Sequence, residues 1–461
     1  MTLNVEGLET EVAGVKMATP IGFGAVVAQG WYGKKNAEEW SKMLLRTVEA
    51  GAGQVTVATI SYMEPEERKK LEKLVREEKE EFKVPAWQKR KPPIFPKTDN
   101  SKLHIVSPYG LDGCGMELFI PGIRMDGPRF EEQKKEVMAI LKEKLPENVP
   151  IIGSVTGFGS LPEGWLPSVR AAEEWGADII ELNPTCPIPF GFGEYIDWFV
   201  ERKWPARYPG AGLSAVPEVF EKVVRAAARE VKVPIGVKLS ADVGYPQIVV
   251  AARHYRDAGA KYITTMNATG TILPPDIYNR GKPITPHISG TTFLGVGGPA
   301  LRIDNYKITA ALAKYVPGID IIALGGITTP EHVVEFLMMG ASATEQVTAV
   351  CLQGLRLFKK EIAFLKNFMK TQGYSSIKEM IGLYQQYFQP GELIYGLEEV
   401  KYLAQTDPAK CTGCGICTEN PCCSASYLED KIAKVDPDRC EACGWCIQAC
   451  PEKARKLVRV K

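Results

Sequence analysis

Nine of the twelve cysteines crowd between positions 411 and 450, leaving only Cys114, Cys186 and Cys351 elsewhere in the chain. Cys440, Cys443, Cys446 and Cys450, the last followed by Pro451, keep the bacterial iron-sulfur spacing C-x2-C-x2-C-x3-C-P at every position. Upstream, CTGCGICTENPCC supplies a matching triplet in Cys411, Cys414 and Cys417, but Pro421 stands where a fourth cysteine belongs, and Cys422 and Cys423 follow it. In tandem runs of this kind three cysteines hold one cubane and the fourth crosses to the other. Cys411, Cys414, Cys417 and Cys450 are therefore expected to hold one [4Fe-4S] cluster. The second takes Cys440, Cys443 and Cys446 with Cys422, which needs the smaller insertion, or with Cys423.

Short loops carrying Gly413, Gly415 and Gly444 let several thiolates and backbone N–H groups converge on one cluster. Paired C-x2-C units also bind zinc, but two triplets with a trailing Cys-Pro match iron-sulfur far better. Between the runs, SASYLEDKIAKVDPDRC reads as strand, turn and strand, the internal repeat of a two-cluster ferredoxin. Residues 405–461 are accordingly expected to form a ferredoxin-like domain with two [4Fe-4S] clusters. A dense cysteine tail on a cysteine-poor body is the mark of a metal module in a reducing cell, not of a disulfide scaffold.

With 56 basic against 55 acidic residues and 45% hydrophobic content, nothing in the composition suggests nucleic acid. The opening MTLNVEGLETEVAGVKMATP lacks a basic segment followed by an apolar run, and no apolar stretch approaches the roughly 20 residues of a membrane span. A cytoplasmic protein with no membrane partner is expected.

The elements that carry the remaining chemistry alternate. GQVTVATI (53–60), PIIGSVTG (150–157), ADIIELNP (177–184), PIGVKLSA (234–241), KYITTMNA (261–268), DIIALGGI (320–327) and SATEQVTAV (342–350) read as buried strands. Amphipathic helical patterns such as NAEEWSKMLLRTVEA and PEVFEKVVRAAAREV separate most of them. About eight βα units favour a (β/α)8 TIM barrel over residues 1–375, with insertions near 63–130 and 187–213 and a linker at 376–404. An open doubly wound sheet is the alternative, but no G-x-G-x-x-G follows the first strand. Barrel chemistry sits at the C-terminal strand ends, which is where Asn183, Cys186, Lys238, Asn267, Gly325, Gly326 and Thr348 fall. Two late glycine turns, GVGGPAL from Gly295 and ALGGI from Ala323, offer backbone N–H groups to a phosphate.

The ordered segments GVKMATPIG (14–22), ELNPTCP (181–187), VKL (237–239), NAT (267–269), GGPALR (297–302) and GGITTPEHVVEFLMMGASA (325–343) resemble the dihydroorotate/dihydropyrimidine dehydrogenase family of FMN barrels. The cysteine tail adds a likeness to its iron-sulfur, NAD-dependent dihydropyrimidine dehydrogenase branch. The resemblance implies that Cys186 carries the proton while Asn183 and Asn267 bind substrate. It implies that Lys238 holds the flavin where negative charge gathers on reduction, that Gly298, Gly325, Gly326 and Thr348 surround the FMN phosphate, and that Gly24, Ala25 and Thr59 line the flavin. The reaction implied makes or breaks a C–C double bond beside a carbonyl or amide.

Where the family has a lysine at the end of the second strand, this chain has Val57-Ala58-Thr59, and GSVTGFGSLPEGW lacks the asparagine that pyrimidine enzymes place at the next strand end. Missing polar contacts point away from a pyrimidine itself as the planar substrate. Residues after Cys186 are rich in aromatics, with Arg202, Lys203 and Arg207 among them and glycines at 191, 193, 210 and 212, and read as a lid. None of the four histidines, His104, His254, His287 and His332, has ligand spacing, and His287 in ITPHISG is the one that stands out. Since no nicotinamide motif is evident, electrons are expected to reach a ferredoxin or a separate FAD/NAD(P)H subunit, in a homo- or hetero-oligomer. The rival expectation is an electron-transfer subunit without substrate chemistry, which the retained Asn183, Cys186 and Lys238 oppose.

Overall fold

A computed structural model describes residues 5–25, 36–78, 104–105, 118–120, 127–157, 159–185, 213, 216–272, 275–283, 293–388 and 401–460. Cys114, Cys186, His287 and nearly all of the lid segment 187–213 lie outside the described residues. The chain divides into two compact units, Met1–Phe388 and Gln389–Lys461.

The first unit is built on eight strands: β1 (Ile21–Phe23), β2 (Gln54–Ile60), β3 (Ile151–Val155), β4 (Ile179–Leu182), β5 (Ile235–Lys238), β6 (Tyr262–Thr264), β7 (Asp320–Leu324) and β8 (Ala343–Gln346). They pair in sequence order, each parallel to its neighbours, and β8 closes on β1. Helices α1 (Ala37–Glu49), α2 (Gly127–Lys144), α3 (Leu166–Glu174), α4 (Pro217–Glu230), α5 (Gln247–Ala258), α6 (Arg302–Tyr315), α7 (Pro330–Met339) and α8 (Arg356–Gln372) follow the strands in turn. Because the strands are covered on both faces, they read as apolar runs without alternation. The helices are amphipathic and meet the strands through one apolar face, as in α4, where Phe220, Val223, Val224 and Ala227 are buried.

The barrel interior is layered. At the N-terminal end, the hairpin Thr10–Met17 plugs the bottom: Ala13 N donates to Asp320 Oδ2 at 2.7 Å and Thr10 Oγ1 to the Ser342 carbonyl at 2.8 Å. Val12 and Met17 of that hairpin pack with Ile152, Ile179, Tyr262 and Ile322 in an apolar layer. Above it lies a polar layer of Gln54, Thr56, Ser154, Glu181, Lys238, Thr264 and Glu345, all buried.

One feature had no counterpart in the sequence pattern. Thr269–Ile272 and Phe293–Gly297, in the long connection after β6, pair antiparallel with each other, and the latter pairs with Leu118–Ile120 of the insertion after β2. His104–Ile105 completes this four-stranded sheet.

In the second unit Tyr402–Thr406 pairs antiparallel with Arg455–Arg459, and Ser426–Glu429 with Ile432–Val435. The second pair is the strand, turn and strand expected between the cysteine runs. Its turn places Asp430 and Lys431 at φ of 50° and 61°, the left-handed pair that a two-residue hairpin turn demands.

Candidate active site

At the C-terminal mouth of the barrel lies a cleft of about 830 Å³. Ala25, Thr59, Asn183, Lys238 and Asn267 line one part of it. Gly298, Gly325, Gly326 and Thr348 line another, so residues spread over more than 300 positions of sequence meet in one place. Gly24 stands just behind, where an added Cβ would lie 3.0 Å from Glu345 Oε2.

The glycine end is held by close packing. Gly326 has φ of +84°, and a Cβ there would come within 2.5 Å of the Arg302 backbone, so only glycine lets the turn after β7 touch the start of α6. Asn305, buried in α6, donates from Nδ2 to the carbonyls of Leu324 and Gly325 at 2.9 and 2.8 Å, fixing that turn from below.

At the other end, Lys238 is 1% exposed and its Nζ donates to Glu181 Oε1 at 2.9 Å. Ser154 Oγ also donates to Oε1, at 2.7 Å, and Thr264 Oγ1 to Oε2 at 2.6 Å. Glu345, a second buried carboxyl on the cleft wall, receives only neutral donors: Gln54 Nε2 at 3.2 Å and Thr56 Oγ1 at 2.9 Å, both on Oε1. Its Oε2 is buried without a partner among the described residues. Burial, then the nearby Glu181 carboxylate, push the Glu345 carboxyl up to about 7, against the opposite pull of Lys238 and Thr56.

Asn183 and Asn267 are joined through a residue that sequence reasoning passed over. Thr185 Oγ1 donates to Asn183 Oδ1 at 2.6 Å and accepts from Asn267 Nδ2 at 2.6 Å. The strand end without its expected lysine does receive a cation from elsewhere: buried Lys134 of α2 donates from Nζ to the Thr59 carbonyl at 2.5 Å. Cys186 follows Thr185 directly in sequence but lies outside the described residues. A signal for the missed carboxyls was present, since Glu181 in IIEL and Glu345 in ATEQ are charges inside otherwise buried strands.

The tail brings one of the two expected cysteine sets together round a hollow. Cys411, Cys414, Cys417 and Cys450 line one hollow of about 330 Å³, so the cysteine that follows the second triplet does lie with the first. Backbone amides point at sulfur there: Ala433 N donates to Cys411 Sγ at 3.5 Å and Ala454 N to Cys450 Sγ at 3.3 Å. The two cysteine loops share one backbone shape, with Gly413 and Gly415 at φ of 70° and 82° matched by Ala442 and Gly444 at 51° and 77°. Alanine pays roughly 1 kcal/mol for that conformation, so the loop shape is imposed by more than its residue preferences.

The 422–423 pair is also resolved in orientation. Cys422, preferred from spacing, is exposed, whereas Cys423 is half-buried. Hydrogen bonds from the Ala425 and Ser426 backbone pull the Cys423 thiol below its ordinary value, and burial pushes that of Cys446 up. Ser426 and the Arg455 charge lie near enough to both thiols to act on them. Geometry therefore favours Cys423 beside Cys446.

Comparison with known proteins fits these sites. A family model described as dihydroorotate dehydrogenase matches residues 205–369. The catalytic subunit of dihydroorotate dehydrogenase B (NAD(+)) from Methanothermobacter thermautotrophicus is 31% identical over 264 residues, covering 57% of this chain and 77% of that one. The chain belongs to the dihydroorotate dehydrogenase family. Subunit PreA of the Escherichia coli K12 NAD-dependent dihydropyrimidine dehydrogenase is 28% identical over 291 residues, 62% of this chain and 64% of that subunit. A solved dihydroorotate dehydrogenase, that of Eimeria tenella in complex with ferulenol, superposes with a TM-score of 0.53 at 18% identity over 82% of this chain and 88% of the other, which speaks for the fold. A model described as 4Fe-4S binding domain matches residues 433–456.

Membership of the dihydroorotate dehydrogenase family implies FMN, and the cleft fits that group, since it gathers glycine turns suited to a phosphate and a buried cation suited to a reduced ring. The tail hollow fits a cluster, with four thiols and sulfur-directed amides around it. Among the described residues no group of three or more Cys, His, Asp or Glu side chains is placed to hold a single metal ion. Among them, too, no helix is long and apolar enough to cross a membrane.

Proposed function

We propose that the protein is an FMN-dependent oxidoreductase acting on a C–C bond beside a carbonyl or amide of a planar substrate. Its electrons pass through two [4Fe-4S] clusters. The carrying observation is the single cleft that gathers Lys238, Asn183 and Asn267 with the two glycine turns. FMN, when bound, supplies hydride transfer at one substrate carbon. Cys186 gives a proton to the neighbouring carbon when the double bond is reduced and takes one when it is formed, so hydride and proton together balance the saturated bond.

Lys238 offsets the negative charge of the reduced cofactor, Gly298, Gly325, Gly326 and Thr348 hold its phosphate, and Gly24, Ala25 and Thr59 line its ring. Asn183 and Asn267, locked through Thr185, present amides to the substrate carbonyls. Cys411, Cys414, Cys417 and Cys450 hold one cluster; Cys423, Cys440, Cys443 and Cys446 hold the other. Both relatives named above are subunits of NAD-dependent enzymes. By extension a separate FAD/NAD(P)H subunit, or a ferredoxin, exchanges electrons with the tail.

Anaerobically purified protein should contain FMN and about eight iron atoms. Cys186→Ala should retain both and lose turnover; full turnover in that variant refutes the assigned proton carrier and, with it, the substrate chemistry. Screening uracil, thymine, dihydroorotate and other unsaturated lactams against the reduced enzyme identifies the ring. Protein without flavin refutes the reading as a whole.

A further inference from the structure

Arg455 is 4% exposed, yet two of its nitrogens, Nε and Nη2, are buried without a hydrogen-bond partner among the described residues. Its remaining terminal nitrogen, Nη1, donates to Ser426 Oγ at 2.8 Å. A buried guanidinium with unmet donors is strongly disfavoured, so something of opposite charge must meet it in the working protein. Two candidates flank it. The side chain lines the hollow of Cys411, Cys414, Cys417 and Cys450. Ser426, whose hydroxyl it holds, also lies near Cys423 and Cys446 of the second cysteine set, and the Arg455 charge acts on both of those thiols. A cubane held by four thiolates is a delocalised anion whose sulfurs accept N–H donors, and charge and hydrogen bonding at sulfur are what set its potential.

We propose that Arg455 is a cation shared by the two clusters, giving its unused N–H donors to sulfur and raising the reduction potential of both. This rests on the two-cluster reading above. Each cluster gains one negative charge when it takes an electron, and the fixed guanidinium favours that reduced form. Being common to both sites, it keeps their potentials in step, so an electron can pass between them without a large drop.

The test is an EPR-monitored reductive titration of anaerobic full-length protein after iron and sulfide have been counted. Arg455→Met should leave about eight irons and move both clusters to lower potential, with the reduced-to-oxidised ratio at a fixed potential falling about tenfold. Arg455→Lys, which keeps the charge but not the planar fork, should recover part of that loss. Unchanged midpoints in a fully loaded Arg455→Met variant overturn the proposal, as does a shift confined to one cluster.

Should the variant not hold its clusters, pulsed EPR on the unaltered protein grown with isotopically labelled arginine decides. Coupling of a labelled guanidinium nitrogen to both reduced clusters supports the shared role, and its absence overturns it. A wild-type iron count near zero or about four instead defeats the two-cluster reading, and the shared role falls with it.

Discussion

Removing Lys238 separates the two tasks assigned to it, since the same ammonium pairs with Glu181 and faces the cleft. The pair is dry, with side chains 1% and 2% exposed and N and O 2.9 Å apart. Lys238→Met fills most of the volume but leaves Glu181 with only the hydroxyls of Ser154 and Thr264. Breaking a buried pair from one side costs about 3–5 kcal/mol. The stranded carboxylate escapes only by taking up a proton, which for an ordinary glutamate costs about 4 kcal/mol at pH 7 and about 1 kcal/mol at pH 5. Flavin-free Lys238→Met is therefore expected to lose roughly 3–4 kcal/mol near pH 7 and about 1 kcal/mol near pH 5 in urea denaturation.

Glu181→Gln combined with Lys238→Met removes the stranded charge and should recover most of that stability at pH 7. It should not recover FMN affinity, measured by fluorescence quenching, because the cation facing the cofactor is still gone. A penalty independent of pH, or no rescue by the double variant, would refute the electrostatic account in favour of lost packing. Rescue of stability and FMN affinity together would refute the cofactor role of Lys238.

Three further outcomes follow from other parts of the molecule. Cys423→Ser and Cys450→Ser should each cut iron from about eight toward about four atoms while Cys422→Ser leaves it unchanged; iron loss on changing Cys422 but not Cys423 reverses the ligand assignment. Glu361, fully buried with Gln346 Nε2 donating to Oε1 at 2.8 Å, is pushed up to about 8 by burial. Between its unfolded value near 4.3 and that folded value the native state holds the extra proton, so stability falls as pH rises through this window, by on the order of 5 kcal/mol. Denaturation of Glu361→Gln should show a flatter pH profile than wild type, and an unchanged profile would sink the assignment. Gly326→Ala must place a Cβ within 2.5 Å of the Arg302 backbone at φ of +84°, so it should cost more than about 1 kcal/mol and weaken FMN binding in equilibrium dialysis.

How far each feature could be read from sequence follows the range of the interaction that makes it. The barrel strands were legible because each is buried on both faces and announces itself locally, as IIGSV and DIIAL do. Asn183, Lys238 and the glycine turns were legible because the family motif keeps them in order. The sheet joining Leu118–Ile120 to Phe293–Gly297 was not, since its pairing spans most of the barrel sequence and no short-range pattern encodes it. The choice between Cys422 and Cys423 stayed open in the sequence for a related reason. Insertion length is a one-dimensional criterion, whereas the turn after Pro421, with Cys423 N donating to the Asn420 carbonyl at 3.0 Å, decides which sulfur faces Ser426 and Cys446.

Even a residue that stands out in sequence, as Glu345 does in ATEQ, is hard to read when its meaning depends on a partner the chain itself does not supply. Glu345 and Arg455 carry opposite charge types, lie in different units, and are each nearly inaccessible to water. In both, the chain satisfies one end of the group and leaves the other bare: Oε2 of the acid on the cleft wall, Nε and Nη2 of the guanidinium beside the cysteines. A protein core seldom keeps such atoms unmet, because each costs about as much as a buried hydrogen bond is worth. Their placement at the two sites gathered from separate stretches of sequence ties the cost to what those sites hold. The acid stands by a cleft suited to a cofactor rich in hydrogen-bond acceptors, and the cation by a hollow suited to an anionic cluster.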